Sequence, residues 1–219
     1  MSLDRRLLRL YLVTDRDLAG GRALPEVVDR AVRGGATAVQ LREKALGAAR
    51  FLDEVVELKR VLAGSGVPVF INDRVDVALA GGADGVHVGQ DDLPAGACRR
   101  LVGPRLLLGV SVATPEEARR AVAAGADYVS VSPVFLTPTK PDAECAVGLA
   151  GIALIRSAVP DAPLLAIGGI GVRNARSVVA AGADGVAVVS ALMASADPEA
   201  AAAALRAEVE AGLAQRRSP

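Results

Sequence analysis

The chain has 219 residues, enough for one domain to bury a large core with no disulfide or metal needed to hold it. Lys plus Arg and Asp plus Glu number 25 each, which leaves no net charge and no basic stripe and excludes nucleic acid as the main partner. The composition is 52% hydrophobic but 2% aromatic, without tryptophan, so Val, Leu, Ile and Ala carry the apolar mass and aromatic stacking platforms are not expected in a site.

Asp4, Arg5, Arg6 and Arg9 interrupt the first ten residues, so a signal peptide is not expected. No charge-free apolar window reaches the length of a membrane span, and a cytoplasmic location without membrane contact is the expectation. The first apolar run, Leu8–Val13, predicts a strand, and a helix follows over Leu24–Arg33. Further helices are predicted at Ala48–Ala63, Val75–Ala80, Ala95–Leu101, Pro115–Ala124, Leu149–Ala158, Val172–Ala181 and Pro198–Ala214. The clearest helix start is Thr114-Pro115-Glu116-Glu117, with a capping hydroxyl, proline at the first position and acids in the first turn. Between the helices lie apolar runs at Val67–Ile71, Leu106–Val110 and Leu164–Ile167. Residues 215–219 are expected to fray.

One junction recurs four times: Gly35-Ala36-Thr37-Ala38-Val39, Gly82-Ala83-Asp84-Gly85-Val86, Gly125-Ala126-Asp127-Tyr128-Val129 and Gly182-Ala183-Asp184-Gly185-Val186. Each follows an Ala-rich helical stretch and opens a short Val-rich run, as a glycine helix stop before a buried parallel strand does. The spacing is too long for one βα unit and suits two. Interleaving the remaining apolar runs gives eight strands alternating with helices, so a single (β/α)8 TIM barrel over residues 1–219 is predicted. An open doubly wound sheet explains the alternation but not four equivalent junctions.

Active sites of such barrels lie at the C-terminal strand ends. After the second strand stand Gln40, Arg42 and Lys44, whose alternation points them one way and whose cations suit a phosphate dianion; a solvated strand end with a Glu43 ion pair is the plainer reading. Asn72-Asp73 and Gln90-Asp91-Asp92 follow the third and fourth strands, and Asp73 with Asp92 fits a Mg²⁺ site, each acid alone being equally suited to capping a helix. His87, the single histidine, lies within a strand and reads as a hydrogen-bonded core residue; Cys98 and Cys145 read as reduced structural thiols, without zinc. Ser111 follows the fifth strand as a neutral donor. The loop after the sixth, with Thr137, Pro138, Thr139 and Lys140, suits an anion and is expected to close over bound substrate. Gly168-Gly169-Ile170-Gly171 and Val189-Ser190 follow the last two strands, where this fold commonly binds phosphate on backbone N–H groups. The two anion regions differ in kind, one cationic with a metal, the other of backbone and hydroxyls, and they point to two phosphorylated substrates. No activated nucleophile or general-base histidine is evident.

QLREK (Gln40–Lys44), ND (Asn72-Asp73), ADGVHVGQDD (Ala83–Asp92), LGVS (Leu108–Ser111), TPTK (Thr137–Lys140), IGGI (Ile167–Ile170) and VS (Val189-Ser190) together resemble thiamine phosphate synthases over nearly the whole chain. The resemblance implies transfer of a pyrimidinylmethyl group from 4-amino-2-methyl-5-(hydroxymethyl)pyrimidine diphosphate to a thiazole phosphate or its carboxylated form. It implies that Gln40, Leu41, Arg42, Glu43, Lys44, Asn72, Ser111 and Lys140 bind the pyrimidine diphosphate, with Arg42, Lys44, Ser111 and Lys140 catalytic. Asp73 and Asp92 are the implied Mg²⁺ ligands, and Thr137, Pro138, Thr139, Gly169, Val189 and Ser190 the implied thiazole phosphate contacts. Ser130 and Ser132 stand where a Gly-rich strand end is expected, and Leu136 where a smaller residue or proline is. A thiazole tautomerase-like isomerase needs neither the paired acids nor the diphosphate clamp. A sugar-phosphate epimerase needs paired acid–base carboxylates or several histidines. A non-catalytic phosphate-binding barrel would not keep Asp73, Asp92 and Lys140. The expected partners are small phosphorylated molecules, with a homodimer left open.

Overall fold

A computed structural model describes residues 3–137 and 145–217, with Arg217 described for its backbone alone. Eight parallel strands close into one barrel in chain order: β1 (Leu10–Val13), β2 (Ala38–Leu41), β3 (Val69–Asn72), β4 (Gly85–Val88), β5 (Leu107–Val112), β6 (Tyr128–Val131), β7 (Leu164–Ile167) and β8 (Gly185–Val188). Around them run α1 (Leu24–Arg33), α2 (Ala48–Val61), α3 (Val75–Ala80), α4 (Ala95–Val102), α5 (Pro115–Ala123), α6 (Gly148–Ala158), α7 (Ala175–Ala180), α8 (Ser190–Met193) and α9 (Pro198–Arg217). The predicted barrel is the observed one. Thr114 caps α5 through its Oγ1, which accepts from the Glu117 N–H at 3.1 Å, and Glu117 Oε2 accepts from the Ala113 N–H in return. Among the described residues no helix is long and apolar enough to cross a membrane.

Most boundaries shift by one or two residues, and three of the differences have a visible cause. The first strand begins at Leu10, because Arg5–Leu8 form a 3₁₀ turn capped by Asp4. The seventh helix begins at Ala175, because Asn174 is spent tying down the preceding glycine loop. The last helix runs past the expected Ala214 through Gln215 to Arg217, with Arg216 bonded to the Ala183 carbonyl.

The four-fold junction is a latch at the N-terminal rim of the barrel. In each copy the residue after Gly-Ala accepts a backbone N–H from the first or second residue of the strand next door. Thr37 accepts from Leu10, Asp84 from Val69, Asp127 from Leu108 and Asp184 from Leu164, at 2.7–3.0 Å. A cation from a neighbouring helix binds each junction's glycine carbonyl: Lys59 on Gly82, Arg99 on Gly125, Arg156 on Gly182 and Arg206 on Gly35. The side chain thus satisfies the strand's orphan donor while the cation satisfies the helix's orphan acceptor.

Inside the barrel the side chains stack in two layers. The lower pairs large with small across the register: Tyr11 with Ala38, Phe70 with Gly85, Tyr128 with Gly109 and Leu165 with Gly185. Three rings fill it, with centroids 5.4–6.2 Å apart. Glycine inside a strand marks such a close approach. The upper layer carries the polar side chains, with Asn72 beside His87, Ser111 beside Ser130 and Gln40 beside Val13, while Ile167 and Ala187 complete it. The apolar floor and polar upper layer put the site at the C-terminal face.

Gly185 illustrates how tight this closure is. A Cβ there would lie 1.8 Å from the Leu8 carbonyl oxygen and 2.7 Å from Arg9 Cα, both backbone atoms that cannot rotate away. Gly185→Ala is expected to cost about 2–3 kcal/mol of unfolding free energy, the upper range for overpacking, read as a lower denaturant midpoint at unchanged slope.

Candidate active site

A cavity of about 750 Å³ opens at the C-terminal ends of the strands, a size suited to small-molecule substrates. Gln40, Arg42, Lys44, Asn72, Asp73, Asp92, Ser111, Thr137, Gly169, Val189 and Ser190 all line it, although they come from seven segments of the chain. Pro138, Thr139 and Lys140, and the closing motion expected of their loop, lie outside the described residues.

Strand alternation sorts the QLREK segment. Gln40 and Arg42 face the cavity, and the Arg42 N–H is held by Thr14 Oγ1 at 3.0 Å. Gln40 sits within β2 rather than after it, and its amide donates to Tyr11 Oη at 3.3 Å. Leu41 points the other way, wholly buried in the layer between strands and helices. Glu43 also turns outward and accepts from Arg16, which reaches Glu54 too. The side chains of Leu41 and Glu43 therefore point away from the cavity, and Glu43 takes the ion pair that the plainer reading gave it, with Arg16 as its partner.

Neither acid of the expected metal pair caps a helix. The residues preceding α3 and α4 are Arg74 and Pro94, without side-chain caps. Asp92 instead accepts from the Gly89 N–H at 2.7 Å, which bends its loop over the strand ends. Asp73 has the left-handed φ of 61°, uncommon for a residue with a side chain, and its carboxylate accepts from Asn72 Nδ2. The two carboxyls are close enough to interact. Burial first, then the bond to Asp92 and its charge, push Asp73 up to about 7, while Asn72 and Arg42 pull the other way. Two like charges forced together need a proton or a cation between them. Among the described residues no cluster of three or more His, Cys, Asp or Glu gathers, so any ion held here keeps positions for water and phosphate, as Mg²⁺ does.

The opposite side of the mouth is built mainly from glycine backbone and serine, with Arg173 at its edge. Gly168 and Gly169 have φ of 109° and 62°, and Cβ atoms there would meet Pro133 and Phe135 at 2.7 and 2.8 Å. The glycines therefore serve the packing of the loop after β6 as well as an anion's approach; that loop is strapped on by the Val134 and Phe135 N–H groups. Asn174 clamps the glycine turn, donating to Gly169 O and accepting from the Gly171 N–H. Ser190 opens α8, the short extra helix that completes a phosphate site in this fold.

Several lining residues escaped the sequence reading. Asp15 follows β1, the one strand end not searched for polar residues, and sits 3.8 Å from Arg42. Arg173 lies just beyond the glycine turn, exposed, with no ion pair among the described residues. Tyr11 and His87 form the floor. His87 is the hydrogen-bonded core residue expected of it: Nδ1 is 3.0 Å from Tyr128 Oη and Nε2 is 2.9 Å from Ser111 Oγ. The strand glycines Gly85 and Gly109 were the available signal for large rings below.

Comparison with known proteins agrees with this geometry. A family model described as thiamine monophosphate synthase matches residues 10–192. Thiamine-phosphate synthase of Albidiferax ferrireducens is 54% identical over 213 residues, which cover 96% of this chain and 97% of that protein. The Methanoculleus marisnigri protein of the same name is 47% identical over 208 residues, covering 95% and 98%. The solved thiamine phosphate pyrophosphorylase from Pyrococcus furiosus superposes with a TM-score of 0.87 at 40% identity, covering 95% of this chain and 98% of that one. A 3-hexulose-6-phosphate synthase structure, at 21% identity and a TM-score of 0.69, shares the fold alone. With the motif resemblance, the barrel and these matches in accord, the chain belongs to the thiamine monophosphate synthase family.

Proposed function

We propose that this cavity joins 4-amino-2-methyl-5-(hydroxymethyl)pyrimidine diphosphate to thiazole phosphate, giving thiamine phosphate and diphosphate. The observation that carries the reading is the two-sided cavity: paired acids beside Arg42 and Lys44 on one side, and a glycine and serine cradle edged by Arg173 on the other. The first side suits a metal-bound diphosphate and the second a monophosphate ester.

Arg42 and Lys44 present positive charge to the diphosphate, with Asp15 and Thr14 steadying Arg42 from behind. Asp73 and Asp92 are the residues that would hold Mg²⁺, which when bound supplies charge neutralisation for the departing diphosphate. The bond from the pyrimidine methylene to diphosphate oxygen breaks with its electron pair leaving on oxygen. The amino-pyrimidine spreads the positive charge that remains, and the thiazole nitrogen lone pair forms the new C–N bond. No enzymic nucleophile is called for. Gln40, Asn72 and Ser111 orient the pyrimidine, and Gly169, Val189 and Ser190 seat the thiazole phosphate within reach of the methylene. Lys140, outside the described residues, adds a further cation on this reading.

Purified protein with both substrates and Mg²⁺ should yield thiamine phosphate, read as fluorescent thiochrome after oxidation, and EDTA should abolish it. Folded protein that makes no product with Mg²⁺ present would overturn the reading. Arg173 gives a second check. Exposed at the mouth beside Gly169, it can meet the thiazole phosphate. Arg173→Ala is expected to raise KM for that substrate by roughly fivefold with kcat nearly unchanged, the scale of one exposed charge contact. An unchanged KM would place Arg173 outside the site.

A further inference from the structure

Gln40, Tyr11, Tyr128, His87 and Ser111 stand on five different strands and form an unbroken string of hydrogen bonds. The steps are Gln40 Nε2 to Tyr11 Oη, 3.3 Å; Tyr11 Oη to Tyr128 Oη, 3.0 Å; Tyr128 Oη to His87 Nδ1, 3.0 Å; and His87 Nε2 to Ser111 Oγ, 2.9 Å. Both ends line the cavity, while the tyrosines are fully buried. Gly109 makes room for the middle of the string, since a Cβ there would lie 2.5 Å from His87 Nδ1 and 2.3 Å from Tyr128 Oη.

Each hydroxyl has a single proton, so the bonds of such a string cannot be chosen independently. An amide nitrogen can only donate, so Tyr11 accepts from Gln40. The buried Tyr11 proton, which would otherwise lack an acceptor, is directed to Tyr128 and sets the direction. Tyr128 accepts from Tyr11 and has its proton left for His87 Nδ1. A ring nitrogen that accepts carries no proton, so the neutral imidazole carries its proton on Nε2, facing Ser111. Burial raises both phenols above their ordinary pKa, so they stay protonated.

We infer that this string runs one way, from Gln40 to Ser111, and that it fixes His87 as the Nε2–H tautomer and turns Ser111 into a hydrogen-bond donor to the substrate. His87 acts here as a positioning residue. A serine beside a histidine resembles a nucleophile with its base, but in that pair the hydroxyl donates to the ring nitrogen. Here the ring donates to the hydroxyl, so Ser111 is not activated for attack. Its proton is directed to an acceptor such as a phosphate oxygen. This role rests on the reading that Ser111 meets the pyrimidine diphosphate; the direction of the string does not.

The single histidine makes the direction measurable. Tag-free protein labelled with ¹⁵N-histidine gives one set of ring signals in a long-range ¹H–¹⁵N spectrum. The expected spectrum shows a protonated Nε2 and an unprotonated Nδ1. A protonated Nδ1, or a doubly protonated ring, would overturn the inference without any variant being made. Tyr128→Phe removes the donor to Nδ1 and should give a mixture of tautomers. Ser111→Ala and Tyr128→Phe are each expected to lower kcat/KM by roughly fivefold to tenfold, with the double variant little worse than Ser111→Ala alone. Fully multiplying losses would show that the string does not act through Ser111. Protein with the expected tautomer but no product would remove the synthase reading and leave the direction standing. Active protein with a protonated Nδ1 would do the reverse.

Discussion

Asp92→Ala and Asp73→Asn are each expected to lower kcat/KM by roughly 10²- to 10³-fold at modest Mg²⁺, the scale of several kcal/mol of charge stabilisation. Both proteins should remain folded, because neither carboxylate caps a helix. Excess Mg²⁺ should restore part of the loss, since the remaining acid still offers one ligand. The pH dependence follows from the sign of the Asp73 shift. Its carboxyl is raised to about 7, so below that value the folded chain holds a proton where a cation would sit. The Mg²⁺ concentration needed for half-maximal activity should therefore fall as pH rises, by up to about tenfold per unit below 7, and level off above it. Asp73→Asn should flatten that dependence. Activity titrations with Mg²⁺ at several pH values test both statements. A wild-type Mg²⁺ requirement independent of pH, or full activity in either variant, would remove the acid pair from the metal site.

Asp184→Ala is expected to be the most damaging of the latch substitutions. The residue is 4% exposed, and its carboxylate binds Arg5 through both oxygens, Arg156 at 2.8 Å and the Leu164 N–H at 2.9 Å, with Arg216 at 3.7 Å. Arg156 is itself largely buried, and burial pulls its pKa below the ordinary arginine value. Removing the carboxylate leaves that guanidinium uncompensated, which costs about 3–5 kcal/mol. For a chain of this length that is a Tm drop of roughly 10 °C. Asp84→Ala leaves a half-exposed partner, Lys59, and should cost less, about 1 kcal/mol. Asp127, bonded to Arg99 and intermediate in exposure, should fall between. Denaturant unfolding of the three variants tests the order. Equal losses at all three sites would mean that burial does not govern the latch.

The alternation of helices and strands was legible because each element declares itself locally. Helices such as Leu24–Arg33 and Val75–Ala80 begin and end where the apolar spacing put them. The junction that recurs four times, Gly-Ala-Asp or Gly-Ala-Thr, pointed to equivalent units, which a closed barrel explains and an open doubly wound sheet does not. The family motifs were likewise readable as strings. Strand alternation put Gln40 and Arg42 on one face, but local pattern did not say which face looks into the barrel. Gln40 and Arg42 turn inward while Leu41 and Glu43 turn outward, a split set by where β2 meets β1 and β3 in register. Nor could it show that Tyr11 and Tyr128, 117 positions apart, meet across the barrel at 3.0 Å and join His87 to Ser111. Period and propensity act over a few residues, whereas this string exists only because closure brings five strands around one axis.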